Sequence, residues 1–260
     1  MHPKLSIITI CRNEKYIEET CRSIAEQVFK DFEWIVIDGA SDDGTVDVLE
    51  RYRKHMSYFV SEPDSGRYNA MNKGILQAKG EYLLFLNGGD SLFDAAVLER
   101  LFNYQAVHAI AERLRPKLEA DILYGQVVAR ETGFMPWPLW SVGPQDFSTY
   151  FRSRSLPHQA TFIRRESFEK FGLYDESYQF AGDYEWFIRA IVKHKAATEY
   201  LPFIVSIYNF LGVSSLDRAD CAEETLRAKA QYGQFKPWKR IFRFLGISQL
   251  IKRKKENNTR

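Results

Sequence analysis

Residues 81–90 read EYLLFLNGGD, and the reading of this stretch decides the fold. Tyr82, Leu83, Leu84, Phe85 and Leu86 form an unbroken apolar run. It is too short to cross a bilayer and shows no polar alternation. It therefore predicts a strand buried on both faces, as in the middle of an α/β sheet. The chemistry changes at Asn87-Gly88-Gly89-Asp90. Two glycines allow a tight turn and the close approach of a ligand. Asp90 then stands beyond the strand's C-terminal end, the edge at which open α/β sheets bind ligands. A carboxylate there can hold a divalent cation against a phosphate; it can equally cap a helix starting near Leu92.

Toward the N-terminus the same grammar repeats. Residues 5–10 (LSIITI) read as a strand opening into Cys11-Arg12-Asn13-Glu14, followed by a helical pattern over 16–28. Residues 32–37 (FEWIVI) are a second strand, closed by an acid- and glycine-rich loop from Asp38 to Thr45. Thr45 is placed to cap a helix running to about residue 55. A short strand over 58–60 and a helix over 69–78 lead back to the central run. This alternation predicts βαβ units and a largely parallel sheet.

Beyond Asp90 the pattern predicts a helix to about residue 119 and a strand over 121–128. A proline- and tryptophan-rich irregular loop follows over 132–150, carrying Trp137 and Trp140. Residues 159–163 return to the sheet, 167–171 form a short helix, and Asp183 stands at the N-cap of a helix with Trp186, Phe187, Ala190 and Ile191 on its apolar face. The last strand falls near 203–208. From residue 215 the chain reads as helical and increasingly basic.

Composition narrows the function classes. Of 260 residues, 45% are hydrophobic and 15% aromatic, enough for one large domain or two small ones. A net charge of +2, without zinc-finger spacing or an RNA-binding aromatic signature, gives no reason to expect nucleic acid. Cys11, Cys21 and Cys221 form no CxxC, which suits free thiols in a cytoplasmic protein. The first strand begins at Leu5, leaving no room for a signal peptide, and no apolar run reaches membrane-spanning length. Neither GxGxxG nor GxxxxGK[ST] follows a strand, which disfavours dinucleotide and P-loop sites.

Seven segments in order carry a resemblance: Ser6-Ile7-Ile8-Thr9 with Asn13-Glu14; Ile37-Asp38-Gly39 through Asp43-Gly44-Thr45; Ser61-Glu62-Pro63-Asp64; Ala70-Met71-Asn72-Lys73-Gly74; Leu86 through Asp90; His158-Gln159; and Gly182-Asp183-Tyr184-Glu185-Trp186. Over roughly residues 4–210 the chain resembles the family 2 glycosyltransferases of the GT-A fold, in their bacterial polysaccharide-assembly branch. The resemblance implies a three-layer α/β/α sandwich with a mostly parallel central sheet over 1–214, and a basic helical tail over 215–260. It implies a hexosyltransferase-type enzyme that moves a sugar, with inversion, from a nucleotide-diphosphate sugar to a glycan or lipid-linked acceptor. Asp38 and Asp64 resemble the acids of the nucleobase pocket; Thr9, Asn13, Glu14, Asn72, Lys73 and Asn87 fall in donor-binding segments. Asp90 matches the last acid of the metal motif, implying Mg²⁺ or Mn²⁺, and Asp183 matches the general base. Trp137, Trp140, His158, Gln159 and Trp186 are the acceptor-side candidates. Three places depart from the pattern, each with glycine: Gly39 for a second acid, Asn87-Gly88-Gly89 for the usual DxD-type triplet, and Gly182 where Glu is common. A non-catalytic module that binds nucleotide-sugar or glycan is the rival expectation.

Lys236 to Lys255 (KPWKRIFRFLGISQLIKRKK) interleaves aromatic and basic residues at helical spacing as far as Gly246. A basic amphipathic helix suits an anionic membrane surface, and a helix packed on the domain would look similar. The expectation is a cytoplasmic protein held peripherally on the inner face of the cell membrane.

Overall fold

The computed structural model describes residues 2–103, 120–130, 137–138, 147–152, 154–209 and 218–233. The central run forms β4 (Tyr82–Phe85), buried along its whole length. It pairs in parallel with β1 (Leu5–Cys11) on one side and antiparallel with β8 (Thr161–Arg164) on the other. Outward from β1 lie β2 (Phe32–Asp38) and β3 (Tyr58–Ser61), both parallel. Beyond β8 come β6 (Ile122–Arg130), β9 (Thr198–Asn209) and the two-residue β5 (Ser91–Leu92), giving the order β3-β2-β1-β4-β8-β6-β9-β5. β7 (Trp137–Pro138) pairs with β6.

Because side chains alternate along a strand, the sheet divides the core into two layers. Ile8, Ile35, Ile37, Leu83 and Phe85 point to one face, where α3 (Arg67–Gln77), α6 (Glu166–Phe171) and α7 (Gly182–Phe187) pack through Met71, Phe168 and Phe187. Ile7, Trp34, Val36, Tyr82 and Leu84 point to the other, against α1 (Ile17–Ala25), α2 (Thr45–Arg51) and the helix α4 over 97–103. The result is the expected α/β/α sandwich with a mostly parallel sheet. α5 (Phe147–Tyr150) falls within the expected irregular loop. A C-terminal helix, α8 (Arg218–Gln231), lies beyond the expected boundary at 214 and buries Ala228 in the first layer.

Three local expectations are corrected. No helix starts at Leu92: Ser91 and Leu92 pair with Ile207 and Ser206 of β9, so Asp90 is not a helix cap. Thr45 is not the N-cap of α2; Gly44, in a left-handed conformation (φ 95°), takes that place, and the Asp43 carboxylate accepts the Thr45 N–H at 3.0 Å. Asp183 is the second residue of α7, whose N-cap is Ala181. The N–H groups leading into that helix are satisfied from α8: Gln179, Phe180 and Ala181 donate to the Glu224 carboxylate at 2.7, 2.8 and 2.8 Å. α7 runs on into a π-helical turn over Ile188–Lys193.

Candidate active site

β1, β2, β3, β4 and β9 all end at one edge of the sheet, and His158 precedes β8 at that same edge. Two adjoining cavities open there, of about 340 Å³ and 330 Å³. The first is lined by Arg12, Glu14, Asp64, Gln179 and Asn209 among others. The second is lined by Tyr68, Ser155, His158, Gln159 and Asp183 among others. Arg67, Asn87, Asp90, Phe180 and Tyr208 border both. The junction between the two cavities is therefore the turn that follows the central strand.

At this junction the polar groups are under-satisfied. The Asp90 carboxylate is buried and accepts the Asn209 N–H at 3.0 Å. Burial, with a smaller push from the Glu14 charge, raises its pKa to about 7 against that hydrogen bond. Asn87 Oδ1 is buried and has no hydrogen-bond partner. Buried oxygens of this kind usually find one. Among the described residues no cluster of three or more His, Cys, Asp or Glu side chains could hold a metal ion. One carboxylate and one amide oxygen nevertheless suit a cation that takes its remaining ligands from water and substrate phosphates, as Mg²⁺ commonly does.

The three glycine departures share an explanation. A Cβ on Gly39 would lie 2.6 Å from Asp64 Oδ2. A Cβ on Gly88 would lie 2.9 Å from Glu14 Cγ, and one on Gly89 3.2 Å from Glu14 Oε1. A Cβ on Gly182 would lie 2.7 Å from the Tyr68 ring. At each place a polar side chain from another segment occupies the room that a side chain in the motif would need. Glu14 is itself raised in pKa, chiefly by burial.

Several expected donor residues stand outside the cavities. Asp38 is fully buried and its two oxygens accept from Ser41 N (2.9 Å), Ser41 Oγ (2.5 Å), Ser61 Oγ (2.6 Å) and Cys11 Sγ (3.5 Å). Thr9 is buried and accepts the Trp34 indole N–H at 3.0 Å. Asn13, at φ 51°, exchanges hydrogen bonds with Asp42 and so ties the first loop to the second. Asn72 clamps Tyr174 through both its amide ends, and Lys73 pairs with Glu62 at 2.6 Å. None of these five lines either cavity. Trp186 is also in the core: it is fully buried against Phe168 and donates its indole N–H to Gly172 O, leaving no face for a sugar.

On the second side, His158 and Gln159 do reach the cavity. His158 stacks on Phe85, bonds Tyr174 Oη at 2.9 Å, and has its pKa lowered by burial, which keeps it neutral. Asp183 Oδ1 accepts the Tyr68 hydroxyl at 3.0 Å. Trp137 lies in β7, which pairs with Val128 and Ala129 on the edge of β6 that β8 occupies at 122–124, and Trp140 lies outside the described residues. Arg12, Arg67, Gln179, Phe180, Tyr208 and Asn209 were not singled out in the sequence. Only Arg12 and Arg67 had a signal, as cations adjoining the Asn13-Glu14 and 70–74 motifs.

The model of "Glycosyl transferase family 2" matches residues 6–172. A PGL/p-HBAD biosynthesis glycosyltransferase of Mycobacterium tuberculosis is 32% identical over 214 residues, covering 81% of this chain and 78% of that one. A putative teichuronic acid biosynthesis glycosyltransferase of Bacillus subtilis is 38% identical over 94 residues, covering 34% and 36%. Among solved structures, S. aureus TarS 1–349 in complex with UDP-GlcNAc superposes with a TM-score of 0.69 at 22% identity, over 88% of this chain and 66% of that one. The mannosyltransferase PcManGT of Pyrobaculum calidifontis, in complex with GDP-Man and Mn²⁺, gives 0.65 at 17% identity, over 90% and 65%. This chain spans 36% of the longer TarS chain. The structural likenesses establish the GT-A fold; the family match and the mycobacterial relative settle the family, and the chain belongs to glycosyl transferase family 2.

Proposed function

We propose that the chain is an inverting, hexosyltransferase-type enzyme. It moves a sugar from a nucleotide-diphosphate sugar to a hydroxyl of a glycan or lipid-linked acceptor, in the assembly of a surface polysaccharide. The observation that carries this reading is the meeting of Asp183 and the Asn87–Asp90 turn in one continuous cavity. The first cavity takes the donor, with Arg12 and Arg67 near its phosphates and Asp64 toward its base. Neither arginine is in an ion pair among the described residues. The second cavity takes the acceptor, whose hydroxyl meets Asp183.

In this mechanism the Asp183 carboxylate accepts the acceptor proton as the oxygen attacks the anomeric carbon. A positioned base of this kind contributes typically about 10²–10⁴-fold. Neutral His158 and Gln159 orient the acceptor. Arg67, at the junction, offsets charge on the departing diphosphate. Asp90 and Asn87 Oδ1 would hold a divalent cation, which when bound supplies Lewis-acid stabilisation of the leaving nucleotide. A metal is the simplest reason to keep a buried acid and an orphaned amide oxygen side by side. The small protein ligand set also suits the rival reading, a module that binds donor without turning it over.

One experiment separates them: nucleotide release and sugar transfer with a panel of UDP- and GDP-sugars, in Mn²⁺, Mg²⁺ and excess EDTA. Turnover that requires the cation supports the proposal. Binding without turnover across the panel supports the rival, and full turnover in EDTA removes the cation from the account. No helix among the described residues is long and apolar enough to cross a membrane. The segment from Lys236 to Lys255 lies outside the described residues, and its proposed peripheral attachment is tested by liposome flotation with and without residues 236–260. Equal partitioning of the two forms would remove it.

A further inference from the structure

Tyr68 enters the site from α3 and is 2% exposed, its ring packed on Tyr174 at 5.5 Å between centroids. That ring fills the place of a side chain at residue 182: a Cβ there would sit 2.7, 2.8 and 2.9 Å from three of its carbons. The hydroxyl lies 3.0 Å from Asp183 Oδ1 and 3.0 Å from the Phe180 carbonyl. A phenol carries one hydrogen and can also accept, so two acceptors compete for a single donor. While Asp183 is a carboxylate, the charged acceptor takes the hydrogen. Once Asp183 has received a proton, the phenol hydrogen can turn to the Phe180 carbonyl and its oxygen can accept from the new acid. Asp183 keeps a partner in both states, and only the half-buried Phe180 carbonyl gives up its donor while the acid is ionised.

We infer that Tyr68 is the positioning residue of the base: its hydroxyl orients the Asp183 carboxylate in the second cavity and satisfies both of its protonation states. Gly182 is the residue that makes this possible, because the ring needs the space. The inference rests on Asp183 being the base proposed above. The ionisable groups that face Asp183 are Tyr68 and Arg67 from α3, His158 before β8, Tyr174 after α6 and Cys221 from α8. Only Arg67 is charged at neutral pH, since burial disfavours the ionised forms of the others. The Tyr68 hydroxyl is thus the group whose loss alters the hydrogen bonding of the carboxylate itself.

The test uses the full chain and Tyr68→Phe, which keeps the ring against Gly182 and removes only the hydroxyl. The ¹³C carboxyl resonance of Asp183 in aspartate-labelled protein, assigned by its loss in Asp183→Asn, needs no substrate. At fixed neutral pH it should move in Tyr68→Phe, because the carboxylate loses a hydrogen-bond donor. Nucleotide release from UDP-GlcNAc and GDP-mannose should show kcat down by about 10- to 100-fold, the worth of a hydrogen bond to a charged group, with KM for the donor little changed. Tyr68→Phe should slow Asp183→Asn no further. If Tyr68→Phe does not fold, Gly182→Ala, which displaces the ring, should move the same resonance. An unmoved resonance with wild-type kcat, where Asp183→Asn is inactive, overturns the positioning role and leaves the base reading standing. Full activity of Asp183→Asn overturns both.

Discussion

Two buried carboxylates stand beyond the strands on either side of β1 and live in opposite circumstances. Asp38, ending β2, is fully buried and receives four donors. Asp90, after β4, is 7% exposed and receives the Asn209 N–H, with its pKa pushed up to about 7. Both belong to motifs that carry the family resemblance. A carboxylate whose oxygens are already occupied builds the loop that frames the site. One left short of partners at a cavity wall keeps lone pairs open to a ligand. The same division separates Thr9, Asn13 and Asn72, all bonded within the protein, from Asn87, whose Oδ1 has no partner.

The comparison is broken most directly by removing the saturated acid. Asp38→Ala strands the Ser41 and Ser61 hydroxyls and the Ser41 N–H. It should cost about 4 kcal/mol, read from the urea midpoint at constant m. A loss below about 1 kcal/mol would mean that Asp38 is not the keystone described. Asp90→Asn should act in the reverse sense on stability. The folded pKa of about 7 lies above the usual carboxylate value, so the folded state holds a proton that the unfolded chain releases. In metal-free protein the contribution of this proton to stability is whole below about pH 4, falls as pH rises toward 7, and is lost above it. At pH 8 Asp90→Asn should recover up to roughly 4 kcal/mol while losing turnover. A variant with the same pH dependence as wild type would contradict the burial argument.

Smaller effects sharpen the second half of the site. Gly182→Ala forces the Tyr68 ring aside and should cost about 1–3 kcal/mol, seen as a lower Tm together with reduced kcat. Glu224→Gln keeps the shape of the side chain that collects the N–H groups of Gln179, Phe180 and Ala181, and removes the charge. It should cost about 1 kcal/mol, with faster amide exchange confined to 179–181. Exchange rates equal to wild type would show that α8 does not hold that loop.

Much of this was legible in the sequence, for physical reasons. The apolar run over 82–86 had to be buried on both faces, and it is the strand on which the sheet is centred. The apolar face of α7 and its π-helical continuation was readable because Trp186, Phe187, Ala190 and Ile191 recur at helical spacing, and all four are buried. Less readable was β9, which begins at Thr198, well before the expected 203. Glu199 and Pro202 mask its first half, and its register against β6 shifts between Tyr124 and Gln126, opposite that proline. A proline has no N–H for the ladder, so the strand bulges past it. Asn209 and Tyr208 end that strand and belong to no motif; the pairing of β9 with β5 brings them to Asp90. That Asp38, unlike Glu14, Asp64, Asp90 and Asp183, would not line a cavity was not legible. Hydrogen-bond satisfaction depends on partners distant in sequence, such as Ser61 for Asp38 and Glu14 over Gly88.

The central claim is that Asp183 is a base rather than a structural acid, and a single variant tests it. Because Ala181 occupies the N-cap and Glu224 satisfies the neighbouring N–H groups, Asp183→Asn removes no cap. The measurement is sugar transfer by Asp183→Asn beside its thermal melting and its binding of the donor nucleotide-sugar. The account predicts melting and donor binding close to wild type, with transfer reduced by about 10²-fold or more. Transfer at a rate near wild type would contradict it, and the proton would then have to leave through another group in the cavity.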